Sequence, residues 1–142
     1  MEKQSIKNRI EEKIQQIRQF LQELSEMKPS NFEEYKSDIR AKAICERYCE
    51  KIPEALIDLA LLIIKYKNFP SPKDEDNAFE ILEERDVINS VLAKNLKDAK
   101  SMRNIIAHEY GRIDDAIIFE AASHELEKDA EEFIKRIEEE VR

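Results

Sequence analysis

The chain has 142 residues, a net charge of −8, 39% charged and 42% apolar residues, and only one glycine and four prolines. This length suits one domain with a real core, and the scarcity of turn formers excludes a sheet protein with many reversals. The negative balance excludes a protein that grips nucleic acid over a broad surface, but not one with a local basic site.

The first helix is predicted over residues 3–27, where Ile6, Ile10, Ile14, Ile17, Leu21 and Leu24 recur at steps of four and three and Pro29 follows as a stop. A second helix opens near Asn31, with Glu34 as a capping-box partner, and runs through Ile39, Ile44, Tyr48, Ile52, Leu56, Leu59 and Ile63 to about Lys67. Pro53 lies inside it and is expected to kink it or split it at Ile52. The stretch from Ala55 to Ile64 is apolar nearly all round except Asp58, which calls for a structural partner such as an ion pair. Residues 68–73 carry two prolines and form the clearest loop. Ser71-Pro72-Lys73-Asp74 then reads as the cap and first turn of a short helix ending near Glu84, with Phe79 and Leu82 inward.

A fourth helix opens between Asp86 and Asn89, with Val87, Val91, Leu92, Leu96, Ala99, Met102 and Ile106 apolar. Gly111 follows its pattern directly, where a left-handed C-cap is expected, so His108 and Tyr110 are placed in its last turn. Asp114 and Asp115 open the last helix, whose apolar positions are Ile117, Ala121, Leu126, Ala130, Phe133, Ile137 and Val141. The fold class is therefore all-α, an up-and-down bundle of about five helices in one domain over residues 1–142. No signal peptide is recognisable, and the longest apolar run is too short to span a bilayer, which points to a cytoplasmic protein with no membrane partner. Cys45 and Cys49 stand four apart without companions for a metal site and read as reduced, partly buried thiols.

The chemistry concentrates in Arg103-Asn104-Ile105-Ile106-Ala107-His108-Glu109-Tyr110-Gly111. From Val87 to Arg112 five basic residues (Lys94, Lys97, Lys100, Arg103, Arg112) face two acids, whereas from Asp114 onward eleven acids face four bases. Lys97, Lys100 or Asn104, and His108 follow helical steps and make a basic stripe able to approach a phosphate backbone. Arg103 adds a planar fork suited to phosphate oxygens. On a helix turning about 100° per residue, Arg103 and Tyr110 share a face while His108 lies about 140° round from Arg103. A regular helix thus does not aim both at one atom: either it unwinds before Gly111, or a second copy supplies its own Arg and His across a two-fold axis. Imidazole and guanidinium groups are the parts needed for RNA cleavage by the strand's own 2′-hydroxyl, a reaction that needs no metal or cofactor. An Arg and a His at a helix end also serve commonly as an ion pair and a cap, and Tyr110 is open to a stacking or plain surface role. His124, among Glu120, Glu125 and Glu127, reads as a surface or interface histidine.

The spacing Arg103-(four residues)-His108-x-Tyr110 resembles the signature of HEPN domains, and Arg103-Asn104 with His108-Glu109-Tyr110 resembles their HepT-type toxins. The segments Arg47 to Asp58, with Glu54 and Asp58, and Ser71 to Leu82, with Pro72, Phe79 and Leu82, resemble the same group in order and spacing. That resemblance implies a homodimeric, metal-independent endoribonuclease acting as the toxin of a type VII-like toxin–antitoxin pair. It implies Arg103 and His108 as the catalytic pair, with Asn104 as a supporting polar group. Lys97 and Lys100 remain candidates for RNA contact from the stripe. Tyr110 would receive AMP from a minimal nucleotidyltransferase (MNT) antitoxin. The alternative is a non-catalytic helical dimer that binds a nucleotidyltransferase or a nucleotide.

Overall fold

The computed structural model describes residues 2–142, and among them the regular elements are all helical. Helix α1 spans Glu2–Met27, α2 Phe32–Ser37, α3 Ile39–Tyr66, α4 Glu75–Glu84, α5 Ser90–His108, α6 Asp115–Glu120 and α7 Leu126–Glu140. A five-residue π-turn over Ala121–Glu125 joins α6 to α7 as one helical body, which leaves six helices among the described residues, one more than expected because the second is divided at Asp38. None is long and apolar enough to cross a membrane.

The α1 stripe is buried as the spacing predicts, from Ile6 through Leu24. It lies antiparallel on α3: Lys3 stands over the Tyr66 ring, Lys13 pairs with Asp58 at 3.4 Å, and Tyr48 Oη donates to Glu23 at 2.8 Å. The ion pair is the partner Asp58 calls for. Asp58 itself is half-exposed, so the Ala55–Ile64 stretch has one open side. The core beneath is closed by Phe79 of α4 and Phe133 of α7, fully buried edge to face with centroids 6.3 Å apart.

Several boundaries differ from the sequence expectation. The expected second helix is interrupted at Asp38, not at Ile52. Asp38 adopts extended backbone (φ −117°, ψ 108°), and its carboxylate caps α3 by accepting from Arg40 N at 2.9 Å. Pro53 stays inside an unbroken α3, because a proline removes a single ladder bond and this helix is buried along most of its length. Asn31 caps α2 as expected, while Glu34 reaches back to Ser30 N instead of closing on Asn31 N. Asp74, not Ser71, caps α4: it accepts from Asn77 N at 2.7 Å, and Asn77 Oδ1 accepts from Lys73 N in return. Three apolar positions assigned inward, Ile39, Val91 and Ile117, are exposed.

The left-handed caps also sit elsewhere. Asn68 (φ 57°) and Asp86 (φ 60°) end α3 and α4, with Phe69 N donating to Ile64 O and Val87 N to Leu82 O, the long-range bond of a Schellman motif in each case. Asn and Asp tolerate this region better than most side chains, so no glycine was needed.

Candidate functional site

Helix α5 begins on a firm cap, Asn89 Oδ1 accepting from Leu92 N at 2.8 Å, and runs regularly to His108. It then unwinds. Glu109 (φ −134°, ψ 49°) donates its N–H to Ile105 O at 2.8 Å, and Tyr110–Arg112 form a 3₁₀ turn closed by Arg112 N donating to Glu109 O. Gly111 is therefore no left-handed cap: its φ is not positive, and a Cβ placed on it would meet nothing within 4 Å. His108 is the last helical residue, and Tyr110 lies beyond the helix and not in its last turn.

This unwinding separates Tyr110 from the other two signature side chains. Arg103 and Tyr110 do not share a face, because the helix that would have aligned them stops between them. Tyr110 crosses to α3 instead, where its hydroxyl donates to Glu46 Oε1 at 2.8 Å while the residue stays 65% exposed. The hydrogen bond to the Glu46 carboxylate, then its charge, raises the phenol above the usual tyrosine range. Arg103 and His108 line one open cleft together with Asn104, Ala107 and Glu109 of the same segment, Glu50 and Glu54 of α3, and Glu75 of α4. One chain thus brings both groups to a common hollow.

The basic stripe is paired at Lys97 and Lys100, and so is Arg103 beside it. Arg103 Nη2 donates to Glu75 Oε1, and its Nε donates to Asn104 Oδ1 at 2.9 Å. Lys100 Nζ lies 3.0 Å from Asp76 Oδ1, and Lys97 Nζ lies 3.8 Å from Glu80 Oε2. Helix α4 therefore runs antiparallel to α5 as an acidic rail against the lysines and arginine that were expected to meet phosphate. His124 lies within the π-turn on the surface, 3.7 Å from Glu120, remote in sequence from this cleft.

Cys45 and Cys49 are both fully buried free thiols, Cys49 Sγ lying 3.7 Å from Ile118 O. Burial raises Cys45 to about 11 and Cys49 further. Among the described residues no three His, Cys, Asp or Glu side chains are arranged to hold a metal ion.

Three site residues escaped the sequence reading: Glu46, Glu50 and Glu75. Glu46, Glu50 and Glu54 recur at four-residue steps, so their common face on α3 was readable. That this face meets α5 is a fact of packing with no local signature.

The chain is similar to known proteins along most of its length. A family model for HepT-like ribonucleases matches residues 10–137. A Shewanella oneidensis protein named mRNA nuclease HepT is 33% identical over 81 residues, which span 57% of this chain and 60% of that protein. An Aphanizomenon flos-aquae protein named tRNA nuclease HepT is 27% identical over 119 residues, 84% of this chain and 81% of that one. Among solved structures, the tri-AMPylated Shewanella oneidensis HEPN toxin, determined in complex with its MNT antitoxin, superposes with a TM-score of 0.82 at 26% identity. That superposition covers 91% of this chain and 96% of the toxin.

Proposed function

The chain belongs to the HepT-like ribonuclease family, and from that membership and the cleft at the end of α5 we propose that it is a metal-independent endoribonuclease toxin. The observation that carries the proposal is the meeting of Arg103, Asn104 and His108 on one open hollow where α5 unwinds. RNA enters this cleft as a phosphodiester whose negative charge displaces Glu75 from the Arg103 guanidinium. An imidazole of His108 takes the 2′-hydroxyl proton as that oxygen attacks phosphorus. Arg103 stabilises the charge gathering on the phosphoryl oxygens, and a second imidazole, from the partner protomer of a homodimer, protonates the departing 5′-oxygen. Asn104 holds the guanidinium plane through its bond to Nε. Lys97 and Lys100 contribute to RNA contact once released from Glu80 and Asp76.

The partner of this reading is an MNT antitoxin that transfers AMP to Tyr110, as the modified state and bound antitoxin of the Shewanella toxin suggest. The adduct adds phosphate charge and a base next to the catalytic segment, competing with RNA for the Arg103 cleft. The pairing of Lys97, Lys100 and Arg103 by α4 favours one second reading, a helical dimer that holds a nucleotidyltransferase without cleaving RNA.

Subunit mixing tests the composite site. Parent and His108→Ala protomers are co-refolded as mixed dimers, separated by differing tags and offered a labelled RNA. Cleavage by the mixed dimer as low as that of the His108→Ala homodimer means that a site needs an imidazole from each protomer. Cleavage at about half the parental rate or more, with each dimer folded, means that the histidine of one chain suffices and overturns the composite site.

A further inference from the structure

The bond between Tyr110 and Glu46 joins an accessible nucleophile to a buried base. Tyr110 is largely exposed on a 3₁₀ turn beyond the end of α5, whereas Glu46 is one of only two buried charged residues among those described, 9% exposed. A carboxylate so far from water ordinarily needs a cation. Arg47 beside it turns to Glu50 instead, at 3.8 Å. The group that Glu46 does meet is the phenolic O–H, 2.8 Å away, within reach for proton transfer. Pinning a surface turn does not call for a buried carboxylate; a neutral amide or a backbone carbonyl would accept the same bond.

We propose that Glu46 is the general base for transfer of a nucleotidyl group to Tyr110, an inference that rests on the reading of Tyr110 as the modified residue. The co-reactant is a magnesium-bound nucleoside triphosphate carried by the nucleotidyltransferase. The phenolic oxygen attacks the α-phosphorus and a new P–O bond forms. The bond from the α-phosphorus to the bridging oxygen breaks, and pyrophosphate leaves with its electron pair. The phenol proton passes to Glu46 Oε1, and nothing is oxidised or reduced. Because the neighbouring carboxylate disfavours a free phenolate, the proton stays on Tyr110 until attack begins. The toxin thus supplies half of the chemistry of its own inactivation. The product phosphodiester has no proton to offer Glu46 and sets a second negative charge beside it, so the modified side chain leaves this partner.

The test is the initial rate of AMP incorporation into unmodified dimer by purified nucleotidyltransferase and magnesium ATP, followed by intact mass. Glu46→Gln keeps an oxygen that accepts from the phenol but cannot take its proton. The expected result is a fall in kcat of about 100-fold or more, with unchanged KM for the dimer and unchanged thermal stability. A Glu46→Gln rate within about threefold of the parent overturns the role of general base. Tyr110→Phe is run alongside: incorporation at the parental rate in that variant refutes Tyr110 as the acceptor, a different failure from that of Glu46. If Glu46→Gln does not fold, Glu46→Ala with added formate decides the same question. A formate-dependent rate supports the base, and a formate-independent one overturns it.

Discussion

Replacing Glu75 by Gln removes the charge that ties Arg103 to α4 and sets two effects against each other. Arg103 is 13% exposed and Glu75 41%, so the pair is neither fully screened nor desolvated. A hydrogen bond between charged groups contributes about 1.5–3 kcal/mol when sheltered, and the exposure of Glu75 reduces this to about 1 kcal/mol. The loss lowers the thermal midpoint by roughly 4 °C for a domain of this size. The same quantity is the cost that a substrate phosphate meets when it takes Arg103 away from Glu75. Removing it lowers KM for a short RNA by about fivefold, with kcat little changed because the guanidinium keeps its bond to Asn104. The assays are thermal unfolding followed by circular dichroism and steady-state cleavage of a fluorescent oligoribonucleotide. A lower midpoint with unchanged KM refutes competition for Arg103, and a raised KM makes Glu75 itself a substrate contact.

Three further outcomes follow from the packing and the titrating groups. Phe133→Ala empties the space against Phe79 and lowers stability by about 3–5 kcal/mol in urea titration. Gly111→Ala changes stability by less than about 0.5 kcal/mol in the same titration, because the backbone there is not left-handed and the space is open. Cys45 has its folded pKa raised by burial to about 11, above the ordinary value of 9.0, so its contribution is complete below pH 9.0 and is lost as pH climbs toward 11. Denaturant midpoints therefore fall across that alkaline window in the parent, and fall less in Cys45→Ala.

What the sequence discloses here follows the range of the forces involved. The α1 stripe and the last-helix stripe were legible because one face of each helix is buried over many turns. The Arg103–His108 spacing was legible as chemistry, but its geometry depended on where α5 stops. Gly111 invited a left-handed cap, while the chain used Asn68 and Asp86 for that purpose and ended α5 through a 3₁₀ turn. Lys97 and Lys100 read as a free basic stripe because their partners, Glu80 and Asp76, lie on another helix. Glu46 was silent for the same reason, since only tertiary packing brings it to Tyr110.

The most direct test of the central claim is cleavage of a labelled RNA in excess EDTA by dimer whose Tyr110 is shown by intact mass to be unmodified, with His108→Ala beside it. The account predicts cleavage by the parent that leaves cyclic-phosphate ends, and a folded, dimeric His108→Ala that does not cleave. Cleavage by His108→Ala at the parental rate would contradict the assignment of His108, and no cleavage by the clean parent on several RNAs would leave the partner-binding dimer as the function.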